Sequence, residues 1–149
     1  MSDQAYLEVA YQEALKAFEK NEVPVGAIVV QNNTIIGRGF NLKESLQKAT
    51  AHAEIVALES AMEATKSWRL EECTLYSTLE PCPMCAGALL QSRIKRLVFG
   101  AKDLKWGAAG TVLNLFEIPF NHPIKISYLE TPQCATILSA FFKNLRHMS

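Results

Sequence analysis

Two short segments carry residues that could do chemistry. His52-Ala53-Glu54 sets an imidazole and a carboxyl two residues apart, and Cys82-Pro83-Met84-Cys85 sets two thiols three residues apart. Each segment opens a stretch with helical character. Pro83 suits the first helical position, where a missing N–H costs nothing. Cys82 then stands at the cap and Cys85 in the first turn, near the positive end of the helix dipole. That setting lowers a thiol pKa and favours the thiolate, the metal-binding form. Two thiolates and one imidazole make three ligands. Three protein ligands plus a water is the pattern of a catalytic zinc site, whereas structural zinc sites are closed by four. Two thiolates also neutralise the ion and weaken it as a Lewis acid, so a base beside the bound water would help. Glu54 can serve as that base and pass the proton on.

Neither segment is decisive alone. A Cys-x-x-Cys can be a redox pair, but that needs an early βαβ context, which this chain lacks. It can be half of a structural zinc site, for which Cys73, Cys134, His122 and His147 are the candidate fourth ligands. Cys73 and Cys134 read more simply as buried thiols, since free cysteine packs as a small hydrophobe.

The elements that must position these residues follow from periodicity. Gln4–Glu19 is an amphipathic helix through Ala5, Val9, Tyr11, Ala14, Leu15 and Phe18. Strands at 26–30 and 34–40 flank Asn32-Asn33, a pair that tolerates positive φ and suits a hairpin turn. A polar loop, 42–50, leads to a helix at 53–64 with Ile55, Val56, Leu58 and Met62 as its buried stripe. A strand at 74–78, a helix at 83–92 and a strand at 96–101 follow. A loop rich in Gly and Ala covers 102–110. A last strand spans 124–129 and a closing helix 132–146, with Thr131 as N-cap before Pro132. Strands alternating with helices predict an α/β fold: three α/β/α layers around a mixed, five-stranded sheet, in one domain over residues 1–149.

The 149 residues are 49% hydrophobic and 20% charged, with Lys+Arg 15 against Asp+Glu 15. This excludes intrinsic disorder. No signal-peptide pattern opens the chain and no apolar run is long enough to span a membrane, so a cytoplasmic location is expected. The zero net charge conceals a division. Residues 1–92 hold 7 Lys+Arg against 12 Asp+Glu, and residues 93–149 hold 8 against 3. A basic C-terminal third can attract phosphate although the whole is neutral.

His-x-Glu followed by Pro-Cys-x-x-Cys is a signature of zinc nucleobase deaminases. With it the chain resembles the cytidine deaminase superfamily. More narrowly, it resembles the family of bacterial tRNA-specific adenosine deaminases, nearly end to end. The narrower likeness rests on Glu22-Val-Pro-Val-Gly26-Ala, Gly39-Phe-Asn41, Cys85-Ala-Gly-Ala88, Ser92-Arg93-Ile94, the run Gly100 to Gly110, Asn121-His122 and Phe141-Phe142-Lys143.

The resemblance implies a cytidine deaminase-like fold and one zinc ion per subunit on His52, Cys82 and Cys85, with Glu54 as proton shuttle. It implies hydrolytic deamination of the wobble adenosine (position 34) of a tRNA anticodon, that of an arginine tRNA, to inosine. Asn41 would hydrogen-bond the extruded adenine, and an amide can offer donor and acceptor together. Val25 and Ala53 would line the base pocket. Asp103 and Lys105 would touch neighbouring nucleotides of the anticodon stem-loop. A homodimer is implied as well. Leu104, Trp106, Gln133 and Ala140 depart from the family's usual residues, and none of them is among the predicted ligands. Trp106 reads either as a base-stacking residue or as a subunit contact, and of the Phe141-Phe142 pair one ring is expected in the core. The rival readings are a guanine or cytosine/cytidine deaminase acting on a free base or nucleoside, and a zinc module without activity.

Overall fold

The structure is a computed structural model. It describes the chain except Pro119, Asn121, Ser149 and the side chains of His147 and Met148, so the Asn121 and His147 expectations lie outside the described residues. The elements run α1 (Asp3–Glu19), β1 (Gly26–Gln31), β2 (Thr34–Phe40), α2 (Lys43–Leu46), α3 (Ala53–Thr65), β3 (Cys73–Ser77), α4 (Pro83–Gln91), β4 (Arg96–Phe99), a 3₁₀ turn (Leu115–Glu117), β5 (Lys125–Tyr128) and α5 (Pro132–Met148). The sheet has five strands in the order β2-β1-β3-β4-β5. β1 is antiparallel to both β2 and β3, whereas β3, β4 and β5 are parallel. This is the expected mixed sheet.

Asn32 and Asn33 close the β1–β2 hairpin with φ of 50° and 60°, the left-handed conformation such a turn demands. Thr131 does precede α5, but its hydroxyl donates back to the Leu129 carbonyl at 2.9 Å. The polar loop 42–50, expected to be irregular, contains the short helix α2. Its four residues are too few for periodicity to reveal.

One core packs α3 and α4 against Val25, Ala27 and Val29 on one face of the sheet. The other packs Tyr6, Leu7 and Ala10 of α1 against Ile28, Val30, Tyr76 and Val98. α5 runs beside α1, where Phe18 and Phe141 meet edge to face at 6.2 Å. Phe141 is buried and Phe142 exposed, as one helix face allows.

The helix stripes differ from those expected. α3 buries Ala53, Glu54, Ala57, Leu58 and Ala61, while Ile55, Val56 and Met62 are only half-buried. α1 buries Tyr6, Leu7, Ala10, Glu13, Ala14 and Ala17 and leaves Tyr11, Leu15 and Phe18 half-buried. The cause is close backbone approach. A Cβ on Gly39 would lie 2.5 Å from the Ala57 nitrogen and 2.6 Å from the Ala53 oxygen, and one on Gly37 2.5 Å from the Ala57 oxygen. One on Gly26 would strike the backbone of Ala10 and Ala14. Small residues therefore mark the closest approaches to the sheet, and Tyr6, Leu7 and Leu58 are the large side chains buried beside them.

Among the described residues no helix is long and apolar enough to cross a membrane.

Candidate active site

The antiparallel β1 makes β2 run in the same direction as β3, so the polypeptide leaves both strands at one end of the sheet and starts α3 and α4 there. His52 is the N-cap of α3 and Cys82 the N-cap of α4, with Pro83 in the first turn as expected. Neither cap side chain makes an N-cap hydrogen bond to its helix. They turn instead to one another. His52 Nδ1 lies 3.6 Å from Cys82 Sγ and 3.6 Å from Cys85 Sγ.

These three ligand atoms all fall within 4.8 Å of one another and form the one cluster of metal-ligating groups among the described residues. A tetrahedral zinc ion with sulfur at about 2.3 Å and nitrogen at about 2.0–2.1 Å requires sulfur and nitrogen about 3.6 Å apart. The donor set and its spacing therefore fit zinc. Of the candidate fourth ligands among the described residues none joins the cluster: Cys73 and Cys134 are buried thiols, and His122 Nε2 meets the Ile94 carbonyl at 2.8 Å.

The three groups set one another's proton affinity. The hydrogen bond from Cys85, with that from His52, pushes the Cys82 thiol down to about 4 against its burial. Cys85, the donor in that pair and itself buried, is pushed up. His52 is raised, first by its bond to Cys82 and then by the charge of Glu54, against burial. The arrangement is that of a chelator which releases protons when it takes its ion.

Glu54 sits in the first turn of α3, 4% exposed. Burial pushes its carboxyl up to about 7, aided by the Cys82 charge and opposed by a backbone hydrogen bond and by His52. A carboxyl balanced near neutrality suits a group that must both take and give a proton.

Asn41 directly follows β2, and its Oδ1 accepts from the Ala53 N–H at 2.7 Å. It thus supplies the cap for α3 that His52 does not. The oxygen already holds this one hydrogen bond, and the NH₂ remains as a donor. Ala53 is fully buried and Val25 is 4% exposed, within the core. The Val25 carbonyl accepts from the Asn41 N–H at 3.2 Å. Both residues therefore fix Asn41, in addition to any wall they form.

Asp103 is half-buried in the loop after β4. Its Oδ1 accepts from the N–H groups of Lys105 at 3.0 Å and Trp106 at 3.1 Å, so it shapes its own loop. Lys105 is exposed, as are Leu104 at 83% and Trp106 at 64%.

Sequence reasoning passed over two buried carboxylates. Glu80, 1% exposed, accepts at Oε1 from Asp103 N at 3.1 Å and Thr111 Oγ1 at 2.5 Å, and at Oε2 from Ala109 N at 2.8 Å and Thr111 N at 3.2 Å. Glu22, also 1% exposed, accepts from Glu44 N at 3.1 Å and from the N–H and hydroxyl of Ser45, each at 2.6 Å. A Glu at or near a Pro in a loop at a sheet end was the available signal, because most of the donors are backbone groups.

The MafB19-like deaminase family matches residues 1–146. The tRNA-specific adenosine deaminase of Bacillus subtilis (strain 168) is 50% identical over 146 residues, spanning 97% of this chain and 91% of its own. A solved structure described as "Biochemical and Structural Studies of A-to-I Editing by tRNA:A34 Deaminases at the Wobble Position of Transfer RNA" superposes with a TM-score of 0.81. It is 40% identical and covers 84% of this chain and 97% of its own. Guanine deaminase from Nitrosomonas europaea reaches a TM-score of 0.83 at 21% identity, covering 94% of this chain and 84% of its own, and shares the fold alone.

Proposed function

The chain belongs to the family of tRNA-specific adenosine deaminases, and from that premise we propose that it hydrolyses adenosine to inosine at position 34 of a tRNA anticodon, that of an arginine tRNA. The observation that carries the reading is the convergence of His52 Nδ1 on both sulfurs at 3.6 Å, next to a buried carboxyl held near neutrality. Residues 1–149 form one deaminase domain in this reading, and the enzyme acts in the cytoplasm as a homodimer.

His52, Cys82 and Cys85 hold one zinc ion per subunit, which when bound acts as a Lewis acid that lowers the pKa of water. Glu54 takes a proton from the attacking water and hands it to N1 of adenine. It then carries a proton to the 6-amino group, which leaves as ammonia while oxygen remains on C6. Adenosine and water thus give inosine and ammonia. Asn41, its oxygen tied to Ala53, offers its NH₂ to the base edge. Val25 and Ala53 keep Asn41 in place. Lys105 meets phosphate, and Asp103 maintains the loop that carries it. A loop nucleotide is cheaper to extrude than one stacked in a duplex.

The test is incubation of the purified, zinc-loaded protein with total bacterial tRNA, followed by sequencing. Adenosine-to-guanosine reads at position 34 of arginine tRNA are expected. Release of ammonia from guanine or cytidine, with unchanged tRNA, overturns the reading.

A further inference from the structure

The loop from Lys102 to Leu113 contains no strand or helix; besides a few internal backbone bonds and the Asp103 side chain, it is tied down by one buried carboxylate. Both oxygens of Glu80 are filled by four donors from Asp103, Ala109 and Thr111. The backbone beside that carboxylate is stitched to the same loop: Glu80 N donates to Ala101 O at 2.8 Å, and Ala108 N donates to Pro81 O at 2.9 Å. Gly107 lacks a side chain where a Cβ would come within 2.5 Å of Glu80 Oε1 and of the Asp103 carbonyl. The carboxylate therefore ties the loop to the segment that carries Cys82, two residues on. What the loop presents outward is an exposed cation, Lys105, beside an exposed indole, Trp106. Cation and aromatic together are the chemistry of a single-stranded nucleic acid surface, phosphate for one and a base face for the other.

We propose that Glu80 is a positioning residue for RNA recognition: it holds the 103–111 loop in the one conformation that sets Lys105 and Trp106 against nucleotides flanking the reacting adenosine. This rests on the tRNA reading above. All four partners are donors, so the site demands two acceptor oxygens. A glutamine of the same shape provides one, and its NH₂ confronts an N–H.

The experiment compares wild type, Glu80→Gln and Thr111→Val, all loaded with zinc, on an anticodon stem-loop RNA containing the target adenosine. Losing a hydrogen bond to a charged group predicts that Glu80→Gln raises KM about tenfold while kcat stays within about threefold. Thr111→Val, which deletes only the hydroxyl donor, raises KM about threefold. Zinc content stays at the wild-type level in both. Should Glu80→Gln not fold, Thr111→Val decides. A KM within about twofold of wild type in every variant that folds overturns the proposal. A fall in kcat without a rise in KM, or a KM that rises only with metal loss, overturns it too. A wild type that leaves the RNA unchanged refutes the tRNA reading instead, so the two failures are distinct.

Discussion

Glu54 and Glu80 are the same side chain buried to nearly the same depth, 4% and 1% exposed, each close to a metal-ligating segment. Their surroundings differ most plainly in the supply of hydrogen-bond donors. Glu80 has four donors on two oxygens. Glu54 has too few to offset its burial, and its carboxyl rises to about 7. A buried carboxylate filled with donors is a fixed anion around which a loop can be wrapped. One left short of donors is a proton carrier. Depth of burial does not separate the two; counting donors does.

On the proposed function, chelation would remove the ion that Glu54 serves and leave the donors of Glu80 in place. Turnover should vanish and return with added Zn²⁺. Hydrogen exchange at the Ala109 and Thr111 amides should stay as slow as in the loaded enzyme. Exchange that quickens on chelation would break the comparison, because the loop would then depend on the metal.

Glu54→Gln tests the proton carrier. General acid–base catalysis contributes about 10²–10⁴-fold, so kcat should fall by about three orders of magnitude. Zinc content and the thermal midpoint should not fall, since the substitution removes a buried charge without removing a filled anion site. Turnover near the wild-type level would sink the role.

Glu80→Gln should show the opposite balance. Loss of charged hydrogen bonds should cost about 2 kcal/mol of unfolding free energy, read from denaturant titration. Exchange at the Ala109 and Thr111 amides should quicken. Unchanged stability would mean that the donors find other partners.

Glu22 supplies the smallest test. Burial raises its carboxyl, but the Ser45 hydroxyl and the Glu44 and Ser45 N–H groups outweigh that and hold it below its ordinary 4.5. A depressed carboxyl stabilises the fold above its ordinary value, and that stability is lost as pH falls through the depressed one. Ser45→Ala should cost about 1 kcal/mol at neutral pH. In circular dichroism it should also move acid unfolding to a higher pH. An acid transition at the wild-type pH would remove Glu22 from the class of filled anions.

The sequence was most informative where side chains themselves carry the signal. The ligand triad, the Asn32-Asn33 turn and all five strands were readable to within a residue or two, because spacing and alternation record them. α2 was not, since four residues make no period. The stripes of α1 and α3 were misplaced because large apolar residues were taken to mark the buried side. Their sheet-facing sides carry alanines set against Gly26, Gly37 and Gly39. Asn41, Asp103, Glu22 and Glu80 were visible as residue types, but most of their partners are backbone amides, which every sequence has and none displays.

The seam between Gly39 and α3 has a consequence for how this enzyme can change. The first turn of α3 carries both His52 and Glu54, and its Ala53 carbonyl would sit 2.6 Å from any Cβ at position 39. A machinist would call this a zero-clearance fit: the sheet is the datum surface from which the ligand-to-base spacing is set. Gly39→Ala, far along the chain from either reacting group, would act as a shim beneath them. Variation that retunes the substrate can accumulate in the exposed loops, while the bearing surface under α3 tolerates not even one added methyl group.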